Sequence, residues 1–151
     1  FGGMLVSERL SAQLRRYNHL IEEIEAAYHD MALKLGVSDG EFMVLYAIRE
    51  IGDKRALGEI VRITGASKQT IHSSVRKLEA RGAVYLQATD GKRKEVCLTE
   101  QGKTLAENTV DHVMRAENEI FESWKREDVE KYLAFTERFL KELKQKGREM
   151  Q

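Results

Sequence analysis

Leu10, Leu14, Tyr17, Ile21, Ile24, Tyr28, Met31 and Leu35 recur along the chain at spacings that alternate between four and three. Such a seam predicts one long helix from about residue 7 to residue 35. So narrow and long a stripe suits packing along a second long helix, and Gly36 stands where a helix would close. Ser38-Asp39-Gly40-Glu41 then reads as a capping box. It opens a second helix whose inward face is Phe42, Val44, Leu45, Ile48 and Ile51, with Gly52 at its end.

Residues 54–57 have room for one small strand only. A short third helix is expected over 58–64, with Ile60, Val61 and Ile63 apolar and Gly65 breaking it. Ser67 is a good N-cap for a fourth helix to about residue 80, burying Ile71, Val75 and Leu78. Two strands, 84–88 and 95–98, flank Thr89-Asp90-Gly91-Lys92, and Asp-Gly between β-formers is a strong hairpin signal. Thr99 caps a long helix to about residue 124, with Leu105, Val110, Val113, Ile120, Phe121 and Trp124 among its apolar positions. Glu127-Asp128 marks a break, and a last helix runs to about residue 146 with Val129, Tyr132, Leu133, Phe139, Leu140 and Leu143 on one side.

Helix, glycine-containing turn, helix, charge-tipped hairpin: that order predicts a winged helix-turn-helix. The expected fold is mainly α with a small β-wing, a winged helix-turn-helix DNA-binding lobe plus long N- and C-terminal dimerisation helices. The expected divisions are 4–35 for the first dimerisation helix, 36–99 for the lobe and 100–151 for the C-terminal dimerisation helices. With Ile71, Val75 and Leu78 inward, the fourth helix displays Lys68, Gln69, Thr70, His72, Ser73, Arg76 and Lys77, with Ser67 at its start. These are groups that read base edges and hold phosphates. Gln69 suits a bidentate pair with adenine, and Arg76 and Lys77 suit phosphate. Lys92, Arg93 and Lys94 at the hairpin supply a second cationic grip, fit for a neighbouring minor groove.

Charge sharpens this picture. The 151 residues carry no formal net charge at pH 7, so there is no general basic coat. Yet residues 67–94 hold seven basic side chains against two acidic ones, a cationic surface on a neutral body. A single cysteine, Cys97, cannot form an intrachain disulfide, so a reducing, cytoplasmic setting is expected. No apolar run approaches the roughly 20 residues of a membrane span. Phe1-Gly2-Gly3 ahead of Met4 reads as a cloning remnant.

The run Ser67-Lys68-Gln69-Thr70 to Leu78-Glu79-Ala80-Arg81-Gly82, then Asp90, then Val96-Cys97-Leu98-Thr99-Glu100-Gln101-Gly102, resembles the MarR family of bacterial regulators. The resemblance implies a mostly helical homodimer joined through its N- and C-terminal helices. It also implies recognition helices in successive major grooves of a near-palindromic operator. Many members of that family release DNA when a small aromatic or anionic molecule binds between the dimerisation helices and the lobe. The family's wing carries Asp-x-Arg in a longer hairpin. Here the run is Asp90-Gly91-Lys92-Arg93, which leaves open whether Lys92 or Arg93 enters the minor groove.

The expected function is a sequence-specific, double-stranded DNA-binding transcriptional regulator, a repressor released by a small-molecule effector. One rival is a winged-helix adaptor that binds protein and not DNA. A second is a small enzyme, but the sequence offers no nucleophile–base pairing, phosphate-cradling glycine loop or paired carboxylates. No cofactor is implied, and the scattered histidines His19, His29 and His112 lack metal-ligand spacing. His72 reads equally as a base or phosphate contact and as a plain surface residue. Cys97 reads as a buried, inert thiol. Tyr17, Tyr28, Phe42, Tyr46 and Trp124 fit core or dimer seam better than a ligand cage, so no effector residue is nominated.

Overall fold

The computed structural model describes residues 9–150. The expected remnant at Phe1-Gly2-Gly3 and the expected start of the first helix at residue 7 lie outside them. The chain divides between His112 and Val113 into two compact units.

In the first unit, α1 (Ala12–Leu35) starts at Ser11, whose hydroxyl accepts from the Leu14 N–H at 3.1 Å. It ends at Gly36, where the Val37 N–H returns to the Ala32 carbonyl. Helix α2 (Asp39–Arg49) carries the full capping box: Ser38 Oγ accepts from the Glu41 N–H, and Glu41 Oε1 accepts from the Ser38 N–H. Strand β1 (Lys54–Ala56) leads into α3 (Leu57–Thr64) and α4 (Lys68–Ala80). Strands β2 (Val84–Ala88) and β3 (Lys94–Leu98) form the hairpin. The sheet order is β1-β3-β2, antiparallel throughout, with Val96 opposite both Arg55 and Leu86. The inward face of that alternation is Val84, Val96 and Leu98. It closes a core with Val44, Leu45 and Ile48 of α2, Ile60 of α3, and Ile71, Val75 and Leu78 of α4, all buried.

Two expectations need correction. Ile51 is 60% exposed, because α2 ends at Arg49 and the chain turns before Ile51 can continue its face. The single helix expected from Thr99 is two: α5 (Glu100–Asn108) and α6 (Val110–Ser123). They part at Thr109, whose backbone leaves helical geometry (φ −125°, ψ −93°) while its buried hydroxyl donates to the Leu105 carbonyl at 2.7 Å. Apolar periodicity runs on across such a break, so the pattern hid it.

The second unit begins within α6 and contains α7 (Arg126–Glu149). Phe121, Trp124 and Tyr132 cluster there, with ring centroids 5.3–6.2 Å apart. No residue of α7 is buried, and Tyr132, Leu133, Phe139, Leu140 and Leu143 lie open along it. On α1 the seam residues Leu14, Tyr17, Ile21 and Ile24 are likewise exposed. No described helix is long and apolar enough to cross a membrane.

Candidate nucleic-acid interface

The interface is built around the turn from α3 to α4. Thr64 donates its hydroxyl to the Ile60 carbonyl at 2.8 Å, finishing α3. Gly65 then takes φ +68°, a conformation that glycine adopts without strain, and the chain reverses in three residues. Ser67 is extended and caps α4, its Oγ accepting from the Thr70 N–H at 3.0 Å. The same hydroxyl donates to Thr70 Oγ1 at 2.8 Å. Two of the candidate contact residues are therefore engaged with each other: Ser67 starts the helix, and Thr70 braces that start.

Helix α4 is anchored by Ile71, Val75 and Leu78, and by Ser74, a buried hydroxyl satisfied by the Thr70 carbonyl at 2.8 Å. Turned away from that anchor, Lys68, Gln69, His72, Arg76 and Lys77 are exposed, with Ser73 half-buried beside them. None of these five exposed side chains hydrogen-bonds or ion-pairs with another described residue. A helix held by one apolar stripe, with cations, an amide and an imidazole on its free side, is chemically fit to meet phosphates and base edges.

The wing loop is Thr89 to Arg93, one residue shorter than the sequence suggested, since β3 begins at Lys94 and not at Glu95. Thr89 closes it twice, N–H and hydroxyl both donating to the Arg93 carbonyl at 2.9 and 3.3 Å. Lys92, Arg93 and Lys94 are all exposed. Their surroundings differ, however. Arg93 lines a groove on the sheet's outer face with Tyr85, Gln87, Glu95 and Cys97, and strand alternation puts Lys94 on the opposite side. Cys97 is buried, with Sγ 3.7 Å from Gln87 Oε1.

Arg81 departs from the sequence reading, which counted it with the cationic surface. Its guanidinium pairs with the buried Glu41 at 3.1 Å and also donates to the Gly36 carbonyl at 3.4 Å. Burial works to raise the Glu41 carboxyl. The Ser38 N–H and the Arg81 charge outweigh it and leave the group below its ordinary value. Arg49, not singled out by sequence either, donates from Nε and Nη2 to both oxygens of Asp111, at 3.1 and 2.9 Å. The only signal for either pair was an arginine close to a helix end. Gly102, in the Leu-Thr-Glu-x-Gly run, has a packing reason: a Cβ there would collide with the Ala83 carbonyl oxygen. Among the described residues no three His, Cys, Asp or Glu side chains gather as metal ligands.

Residues 35–95 match the family model described as the MarR family. No curated protein sequence matches the chain. Among solved structures, NMB1585, a MarR family regulator from Neisseria meningitidis, superposes with TM-score 0.79 at 18% identity, over 92% of this chain and 99% of that one. S. aureus MepR in its DNA-binding conformation gives TM-score 0.70 at 19% identity, over 88% and 99%. BpsR from Bordetella bronchiseptica gives 0.62 at 18% identity, over 82% and 98%. At these identities the likeness to the structures is one of fold. Taken with the family match across the helix-turn-helix and most of the wing, it makes the chain similar to MarR family regulators, in sequence over residues 35–95 and in fold over most of its length.

Proposed function

We propose that the protein binds a near-palindromic duplex operator as a homodimer and represses transcription until a small-molecule effector releases it. One observation carries the DNA part: the exposed Lys68, Gln69, His72, Arg76 and Lys77 side chains of α4 have no partner among the described residues, while its apolar side is locked into the core. Gln69 and His72, with Ser73, then read bases, and Lys68, Arg76 and Lys77 hold phosphate. Ser67 and Thr70 act chiefly by fixing the first turn, from which Gln69 projects. Lys92, Arg93 and Lys94 extend the grip beyond the major groove, with Lys92 or Arg93 entering the minor groove.

The homodimer is supported by the open apolar stripes on α1 and α7, which in a lone chain leave Leu14, Ile21, Ile24, Leu140 and Leu143 in water. Two copies place two α4 helices on one duplex, about one helical turn apart. The effector part is supported by the fold neighbour BpsR, whose DNA binding is regulated by 6-hydroxynicotinic acid. That makes small aromatic acids the first compounds to try.

Footprinting on duplexes selected from source-genome fragments tests the proposal. Two protected major-groove segments about one turn apart, related by a two-fold axis, are expected. No selected fragment, or a single protected segment, contradicts it. Aromatic acids that leave the footprint unchanged at saturating concentration contradict the effector part alone.

A further inference from the structure

One charged network crosses three elements that the proposed function treats separately. Arg81 caps the C-terminal end of α4. Its Nη1 reaches Glu41 Oε2 on the first turn of α2 at 3.1 Å and the Gly36 carbonyl at the C-terminal end of α1 at 3.4 Å. The other Glu41 oxygen accepts from the Ser38 N–H at 2.9 Å, within the link that joins α1 to α2. The Glu41 side chain is 8% exposed. A carboxylate so far out of water is stable only with its partners held in place, so Arg81 is not free to swing away.

Helix α2 also lies hard against α4. A Cβ at Gly40 would strike Ser74 Oγ, so glycine is what lets the two backbones approach. With α2 and α4 packed as one body, α1 is tied to them by Tyr28 against Phe42, by His29 paired with Asp39, and by the short link through Gly36 and Val37. That is the link the Arg81 guanidinium spans.

We propose that Arg81 is a positioning residue, tying α4 to the C-terminal end of α1 and so fixing the half-site spacing that the dimer accepts. This rests on the reading of α4 as the base-reading helix and of α1 as part of the dimer. Arg81 touches no DNA. It acts through α1, whose direction sets where each α4 meets the duplex.

The test is selection from a pool of synthetic duplexes holding two inverted half-sites separated by randomised spacers. Wild-type protein enriches one spacing. Arg81→Gln enriches the same half-site sequence spread over several spacings, with thermal unfolding confirming a folded chain. Arg81→Lys keeps the positive charge but replaces the planar guanidinium, whose Nη1 serves both acceptors, by a compact ammonium of shorter reach. It gives an intermediate spread and stands in if the glutamine variant fails to fold. A spacing profile as sharp as wild type in a folded variant, with affinity lowered evenly, overturns the inference and leaves DNA binding intact. A wild-type chain that enriches no duplex overturns both.

Discussion

Arg49 and Asp111 stand 62 residues apart in sequence and meet in a two-pronged ion pair, Nε to Oδ1 at 3.1 Å and Nη2 to Oδ2 at 2.9 Å. Both side chains are less than one-fifth exposed. Arg49 comes from the last turn of α2 and Asp111 from the first turn of α6, and Arg49 also donates to Asp53. Removing the Asp111 charge leaves the largely buried Arg49 with the more exposed Asp53 as its remaining carboxylate. Asp111→Asn is therefore expected to lower stability by about 1–3 kcal/mol, read as a lower urea midpoint at unchanged m-value. If the midpoint does not move, the pair contributes only geometry.

Glu41 gives stability a pH dependence whose sign follows from its environment. Its carboxyl is lowered in the folded chain from an ordinary value of 4.5, so near that value the unfolded chain binds more protons. The contribution is complete above the unfolded value and is lost as pH falls through the folded one. Urea unfolding through the acid range is expected to show falling stability, with a shallower fall in Glu41→Gln than in wild type. Parallel curves for the two proteins contradict the assignment.

Two helical glycines are expected to respond to alanine with opposite signs. Gly58, on the first turn of α3, has open space around the position a Cβ would take. Gly58→Ala should raise stability by about 0.4–1 kcal/mol, mainly by narrowing the unfolded ensemble. Gly102, near the start of α5, abuts the Ala83 carbonyl. Gly102→Ala should cost about 1–3 kcal/mol as backbone is pushed apart. Thermal melts of both variants check this, and a stabilised Gly102→Ala would remove the packing account of the signature.

On the polar side of α4, base reading and phosphate holding separate by their dependence on sequence and salt. Gln69→Ala should cost about 1–3 kcal/mol at one base position and little elsewhere. Arg76→Ala should weaken all duplexes alike and reduce the salt slope by about one. Competition binding against single-base operator variants distinguishes them. An even loss for Gln69→Ala reassigns that residue to phosphate.

Much of this was legible in the sequence because local chemistry wrote it there. The Ser38–Glu41 box, the Ser67 cap and the α4 stripe at Ile71, Val75 and Leu78 all formed where expected. Each depends on residues only a few positions apart. The features that escaped depend on distant partners. Arg81 looked like a surface cation until Glu41, 40 residues away, came to meet it. The Thr109 break is local in geometry, but β-branched residues are common inside helices, so Asn108-Thr109-Val110 gave no stop signal. The lysines and arginine of the wing could be counted but not aimed, because a strand shifted by one residue puts neighbours on opposite faces.

The central claim is that the free side of α4 meets duplex DNA. Fluorescence anisotropy on a selected operator, in roughly 50 and 200 mM salt, tests it most directly with wild type and a Lys68→Ala, Gln69→Ala, Arg76→Ala triple variant. The account predicts tight wild-type binding that weakens steeply with salt, and loss of binding in a triple variant that melts like wild type. Wild-type affinity indifferent to salt, or a triple variant that binds as well as wild type, would contradict it.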